Sequence, residues 1–160
     1  MARSSFVESL VLLPVVAAGL SGCGIEEEGV LLEASLGSPE VTVEGGTLAT
    51  DVTGSFDIHL ELGELASDPT TVKLGVFRLE RDGSALVDPL HFDTNPKFPV
   101  EVDVGTSKHV AATIMSLDQA PELAEALCAG PLEIVGTVTD TLGDDRAKTL
   151  RSGSVTPDCP

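Results

Sequence analysis

Residues 56–62 have the sequence Phe-Asp-Ile-His-Leu-Glu-Leu, in which apolar and polar side chains alternate without a break. A period of two places the apolar side chains on one face of a β-strand and the polar side chains on the other. A strand of this kind has one buried and one solvated face, which is typical of antiparallel sheets. The stretch therefore predicts a half-buried antiparallel strand.

The same alternation recurs on both sides of this stretch. It predicts further strands at 72–79, 100–104, 110–114 and 132–139, and two shorter ones at 32–36 and 41–43. Within 72–79 the alternation changes parity, which predicts a bulge or a strand end near Val76. Residues typical of turns separate the strands, at 37–39, 45–46, 82–84, 95–96 and 143–145. About seven short strands divided in this way predict an all-β fold, an antiparallel sandwich.

One short helix is expected before the last strands. Asp118 is a candidate N-cap, Pro121 fits the first turn and Gly130 is placed to end the helix. Its apolar stripe consists of Leu123, Ala124, Leu127 and Cys128. A late helical crossover resembles the connection between strands E and F of immunoglobulin-like and fibronectin type III-like domains. The resemblance implies an immunoglobulin-like sandwich over residues 31–160, although the chain has no Trp. A closed barrel or a jelly roll is the alternative.

The composition excludes several classes of function. The chain has 160 residues, which suits one domain, and 42% of them are hydrophobic, which is enough for a core. Its 26 acidic and 9 basic residues give a net charge of −17. Binding to nucleic acids relies on Lys and Arg at the phosphates, so we expect no nucleic-acid partner. The chain has no Trp, no Tyr and only five Phe, which disfavours stacking on flat ligands or sugars.

The N-terminal residues 1–23 have the pattern of an export signal. A basic start at Arg3 precedes an apolar run from Leu10 to Leu20, which is shorter than the roughly 20 residues that a membrane span needs. The closing sequence Leu20-Ser21-Gly22-Cys23 resembles the lipobox of bacterial lipoproteins. The resemblance implies that residues 1–22 are removed and that Cys23 is acylated and anchors the protein to a membrane. Gly24, where this family often has a retention Asp, implies the outer membrane in a Gram-negative cell and otherwise the cell surface. An ordinary signal peptide is the alternative.

Residues 23–30 would then form a Glu-rich tether between the lipid and the domain. Arg3 and Glu8 cancel, so the whole net charge lies on the exported part. With Cys23 assigned to lipid, Cys128 and Cys159 remain as an even pair in an oxidising compartment. We expect them to form a structural disulfide, because the chain has no Cys-x-x-Cys spacing that would favour a redox or metal pair.

Two groups of side chains are candidate sites for a divalent cation. Asp57, His59 and Glu61 share one face of the predicted strand at intervals of about 6.5–7 Å. Asp140, Asp144 and Asp145 surround a predicted turn and offer oxygen ligands to Ca²⁺. The alternatives are an ordinary solvated strand face for the first group and turn-forming chemistry for the second.

Two classes of function therefore compete. The chain has no Gly-x-Ser-x-Gly elbow, no P-loop and no His-Glu-x-x-His motif, so catalysis is not expected. The first class is a non-catalytic module, anchored by lipid at the cell envelope, that binds another envelope protein or serves as a spacer. The second is a protein that binds Ca²⁺ or a small ligand through its acidic face; no other cofactor is expected.

Overall fold

The computed structural model describes residues 32–143 and 146–160. Most of these residues lie in strands, and one short helix interrupts them. The strands and the helix are, in chain order, β1 (Leu32–Gly45), β2 (Thr50–Leu62), β3 (Thr70–Arg81), β4 (Ser84–Val87), β5 (Phe92–Asn95), β6 (Val100–Val102), β7 (Ser107–Gln119), α1 (Leu123–Cys128), β8 (Glu133–Asp140) and β9 (Lys148–Arg151).

The strands form two antiparallel sheets. Sheet one has the order β1-β2-β7-β5, and sheet two has the order β4-β3-β8-β9, with β6 paired to β3. The first order corresponds to A-B-E-D of an immunoglobulin-like sandwich, and the core of the second corresponds to C-F-G. Helix α1 lies between β7 and β8, which is the E-to-F connection. The prediction of an all-β sandwich with a late helical crossover is therefore confirmed, and the closed barrel is not observed.

Apolar side chains from both sheets meet in one core. On β2 the alternation in residues 56–62 holds as predicted, with Phe56, Ile58, Leu60 and Leu62 buried. Three of the five phenylalanines join the sheets: Phe56 and Phe92 come from sheet one, and Phe77 comes from sheet two. Their ring centroids lie 4.9–5.8 Å apart, within the range in which aromatic pairs stabilise a core beyond their buried area.

The first strand differs from the prediction. Residues 32–36 and 41–43 are parts of one strand, β1, and the predicted turn at 37–39 is a β-bulge between Gly37 and Glu40. Gly54 of β2 makes this possible. It has a φ of 150°, and a Cβ there would collide with the backbone carbonyl of Glu40. The bulge therefore needs a glycine on the neighbouring strand, which the turn signals in β1 do not reveal.

The number of strands and the start of the helix also differ from the prediction. The described residues form nine strands instead of about seven, because β4, β5 and β9 have only four residues each and little alternation. Asp118 does not cap the helix: it lies in β7 with a φ of 56°, and the residue at the N-cap is Glu122. Of the two alternatives predicted near Val76, the bulge is observed and the strand end is not: the pairing of β3 with β8 shifts between Leu74 and Phe77, and β3 continues to Arg81.

The predicted signal peptide, residues 1–22, and tether, residues 23–30, lie outside the described residues. Within the described part of the chain, we find no helix with the length and apolar character that crossing a membrane requires.

Candidate functional site

Two histidines meet on the outer face of sheet one. His59 of β2 is directly opposite His109 of β7 in the strand register. The Nδ1 atom of His59 lies 3.1 Å from the Nε2 atom of His109, and the ring centroids are 4.3 Å apart. Leu62 exchanges backbone hydrogen bonds with residues 105–106 of the neighbouring chain segment. Hydrogen-bonded and non-hydrogen-bonded pairs alternate along antiparallel strands, so His59, three residues before Leu62, forms a non-hydrogen-bonded pair with His109. Side chains of such pairs lie closest across a sheet, which brings the two imidazoles into contact.

The predicted triad of Asp57, His59 and Glu61 shares this face but does not close around one point. The Oε2 atom of Glu61 lies 3.7 Å from Nε2 of His59, the nitrogen that does not contact His109. Asp57 is flanked across the sheet by Gly37 and Ala111, which offer no ligand. Among residues 32–143 and 146–160, no three His, Cys, Asp or Glu side chains are grouped so that they could hold a metal ion.

Asp140 of the second predicted group is turned inward. Its Oδ1 atom accepts a hydrogen bond from the backbone N–H of Gly143 at 2.7 Å and faces the hydroxyl of Thr70 at 3.5 Å. The ammonium of Lys148 lies 3.4 Å from Oδ2. These contacts tie the β8–β9 turn to β3, which is a structural use of the carboxylate. Asp144 and Asp145 lie outside the described residues.

A second buried acid, Glu80 of β3, was missed by the sequence reasoning. Its side chain lies on the outer face of sheet two but contacts Arg78 and, at 3.2 Å, Arg151. Hydrogen bonding to the Arg78 guanidinium, helped by Arg151, holds the pKa of Glu80 below its ordinary value against the opposing effect of burial. Glu133 is directly opposite Glu80, and Arg151 also binds it at 2.9 Å. The two carboxylates and the two guanidinium groups therefore form a charge network on the outer face of sheet two.

The predicted disulfide is confirmed. Cys128, at the end of α1, is bonded to Cys159, with their Cα atoms 6.2 Å apart. The C-terminal tail reaches it by pairing with both sheets: Val155 exchanges hydrogen bonds with Leu132, and Asp158 exchanges them with β1. Cys23, the predicted lipidation site, lies outside the described residues.

A side opening lies where the edges of the two sheets approach each other. It has a volume of about 380 Å³ and lies between Leu32–Ser35 of β1 and Lys148–Leu150 of β9. Lys148 links its two sides by donating a hydrogen bond to the carbonyl of Leu32 at 2.9 Å. Further along this edge of β1, the C-terminal tail pairs with residues Val41 to Val43.

Large apolar side chains are exposed at both ends of the sandwich. Leu48, in the β1–β2 turn, is 90% exposed, and Leu117, near the end of β7, is 50% exposed. Both lie at the end of sheet one where Thr50 pairs with Gln119. Leu65 is 92% exposed and follows β2 at the opposite end, where Leu32 pairs with Leu62.

Comparisons with known proteins add no identification: no family model matches the chain, and no curated protein matches it.

Proposed function

We propose that this protein is a lipid-anchored, exported, non-catalytic β-sandwich that acts in protein binding or as a spacer at the bacterial cell envelope. Its anchor would be the acylated Cys23. Its location would be the outer membrane in a Gram-negative cell and the cell surface otherwise.

The observation that carries this proposal is the pairing of the cysteines. The chain has three, and the bond between Cys128 and Cys159 leaves Cys23, within the lipobox-like sequence, as the third. Structural disulfides form in oxidising compartments outside the cytoplasm. A disulfide-bonded domain that follows an export-type leader therefore supports export and leaves one thiol for acylation.

The position of the N-terminal end of β1 supports a role in holding one end of the sandwich away from the membrane. Leu32, the first described residue, lies at one end of sheet one, and α1 with the disulfide lies at the other, beside Gly45. The 13 residues of β2 separate these ends by about 40 Å. A tether attached before Leu32 would hold the Leu65 end towards the membrane and project the Leu48 and Leu117 end away from it. Exposed apolar side chains at the projecting end are suited to contact with a protein partner.

The anchor is tested by replacing Cys23 with Ser and separating membrane and soluble fractions. We expect the wild type in the membrane fraction and Cys23→Ser in the soluble fraction, because no other acylation site is proposed. The matched control is Cys159→Ser, which breaks the disulfide and should stay in the membrane fraction. Retention of Cys23→Ser with the membranes at the wild-type level would refute the lipid anchor.

The binding role is tested separately by crosslinking in detergent-solubilised membranes. We expect a discrete crosslinked partner that is lost in the Leu48→Ser/Leu117→Ser variant. Leu65→Ser removes an equally exposed leucine from the opposite end and should leave the partner in place. Loss of the crosslink in both variants, or in neither, would contradict binding through the projecting end, and absence of any partner would favour the spacer role.

A further inference from the structure

We propose that His59 and His109 form a two-histidine site for a divalent transition-metal ion of the Zn²⁺, Ni²⁺ and Cu²⁺ class. The site lies on the outer face of sheet one and does not depend on the lipid anchor. It differs from the triad predicted from the sequence, because its second ligand comes from β7, 50 residues away in the chain.

The separation of the two nitrogens fits two ligands of one ion. Zinc–imidazole bonds are about 2.0–2.1 Å long, so two nitrogens at a tetrahedral angle lie about 3.4 Å apart. At the right angle of octahedral or square-planar sites the separation is about 2.9 Å. The observed 3.1 Å between Nδ1 of His59 and Nε2 of His109 falls between these values. Without an ion this contact is a hydrogen bond between the two rings. The separation of the two nitrogens already fits an ion, so the rings need to turn until both lone pairs point at it, but they do not need to move apart.

The remaining nitrogen of His59 has a partner suited to orienting the ring. Oε2 of Glu61 is 3.7 Å from Nε2, slightly beyond hydrogen-bond distance, so the carboxylate can accept a hydrogen bond from an N–H at that position after a small adjustment of the side chain. A proton on Nε2 leaves the lone pair of Nδ1 free for the metal. An imidazole that presents one nitrogen to a metal and the other to a carboxylate is a common arrangement, because the carboxylate fixes the tautomer and raises the basicity of the ligand.

The surroundings favour a cation with a preference for nitrogen. Glu33 of β1 is directly opposite Glu61, so the surface next to His59 carries two acidic residues. Ser35 of β1 is directly opposite His59. Its side chain is small and leaves space for water molecules to complete the coordination of the ion. Imidazole suits Zn²⁺, Ni²⁺ and Cu²⁺, whereas Ca²⁺ takes oxygen ligands. The proposal therefore names a different class of ion from the Ca²⁺ predicted from the aspartates.

The test is calorimetric titration of the intact chain in detergent, purified by anion exchange so that no histidine tag is present. We expect Zn²⁺ and Ni²⁺ to bind with a stoichiometry of one, and Ca²⁺ to give no matching signal. His59→Asn and His109→Asn should each weaken Zn²⁺ binding at least tenfold. His91→Asn is the matched control, since His91 is an exposed histidine on the β4–β5 connection outside the pair, and it should bind like the wild type. Glu61→Gln should weaken binding by up to about tenfold through the lost orientation of His59.

Circular dichroism melting of each variant separates loss of binding from loss of folding, and both histidines are on the surface, so native melting curves are expected. The proposal is overturned if the wild type binds neither Zn²⁺ nor Ni²⁺ at submillimolar concentration. It is also overturned if the His59→Asn/His109→Asn double variant binds Zn²⁺ as the wild type does, or if His91→Asn abolishes binding.

Discussion

Glu80 shows how a single carboxylate can be buried on the outer face of a sheet. Its side chain is 3% exposed, yet it projects from β3 on the same face as Arg78. Directly opposed like charges destabilise a sheet, and Glu80 faces Glu133. Arg78 and Arg151 compensate for this, since one guanidinium lies beside Glu80 and the other contacts both acids. The ionised form of Glu80 is therefore the form that the native state favours.

This favoured ionisation predicts a pH-dependent stability that Glu80→Gln removes. The native pKa of Glu80 lies below its ordinary value. The pKa of a glutamate in an unfolded chain is about 4.3. Its contribution is therefore fully present above pH 4.3 and is lost as the pH falls towards the lower native pKa. In urea unfolding between pH 7 and pH 3, the wild type should exceed Glu80→Gln in free energy of unfolding at neutral pH. The difference should narrow below about pH 4.

The control for this experiment is Glu101→Gln, which changes an exposed acid on β6. Its difference from the wild type should stay small throughout the range. A wild-type advantage over Glu80→Gln that is the same at pH 3 as at pH 7 would contradict the assigned role of the guanidinium groups.

At the scale of the elements, helix α1 depends on a side chain from another element. It has six residues, and no side chain caps its N-terminus by a hydrogen bond. Its C-terminal carbonyls are bound by Arg81 of β3. The guanidinium donates to Ala126, to Leu127 at 2.7 Å and to Gly130 at 2.6 Å. A planar group with several donors can bind diverging carbonyls that the end of a helix leaves unpaired.

Replacing Arg81 with Ala should therefore destabilise the crossover. Several carbonyls lose their donor, and we expect the free energy of unfolding to fall by about 1–3 kcal/mol. Arg81→Lys should recover little of this loss, because an ammonium group lacks the planar fork. Chemical denaturation gives the free energy, and hydrogen exchange of residues 123–128 should accelerate in Arg81→Ala.

Arg146→Ala is the matched control, since Arg146 is an exposed arginine beside the β8–β9 turn. Its stability should match that of the wild type. Equal stability of Arg81→Ala and Arg146→Ala would show that the carbonyls of α1 do not need the guanidinium.

Elements with a regular pattern were predictable, and those that depend on a neighbour were not. The alternation in residues 56–62 identified the buried face of β2, and the parity change located the irregularity near Val76 without deciding between a bulge and a strand end. The continuity of β1 depends on Gly54 of another strand, so turn signals at 37–39 were misleading. The same limit applies to the site. Periodicity predicted that His59 faces outwards, but the register that brings His109 opposite it is a property of two strands.

The whole molecule combines a small aliphatic core with a large excess of negative charge. Acids are paired directly across strands in several places, as in Glu33 with Glu61 and Glu44 with Asp51. Such pairs oppose folding, and 9 basic residues cannot neutralise 26 acidic ones. Burial of the inner faces, including the cluster of Phe56, Phe77 and Phe92, must outweigh this repulsion. The disulfide between Cys128 and Cys159 is then a substantial addition to the free energy of unfolding.

The disulfide lies at the end of the sandwich opposite Leu32 and closes a loop of the chain. It links residues 31 positions apart, and a loop of this length removes unfolded-state entropy worth about 3–4 kcal/mol. It also holds the C-terminal tail in place. The backbone of Asp158 is hydrogen-bonded to β1 and that of Val155 to Leu132, just before β8, so the tail connects the two sheets. Reduction should therefore lower the melting temperature of the protein by about 10 °C, given the shift of several degrees per kcal/mol that is typical at this size.

The Cys128→Ser/Cys159→Ser variant distinguishes this effect from other actions of the reductant. It should melt at the temperature of the reduced wild type, with and without reductant. In the reduced wild type and in this variant, the amide hydrogens of Val43 and Asp158 should exchange with solvent faster than in the oxidised wild type. The tail then pairs with β1 without covalent support. Equal melting temperatures of the oxidised and reduced wild type would mean that strand pairing alone holds the tail across the two sheets.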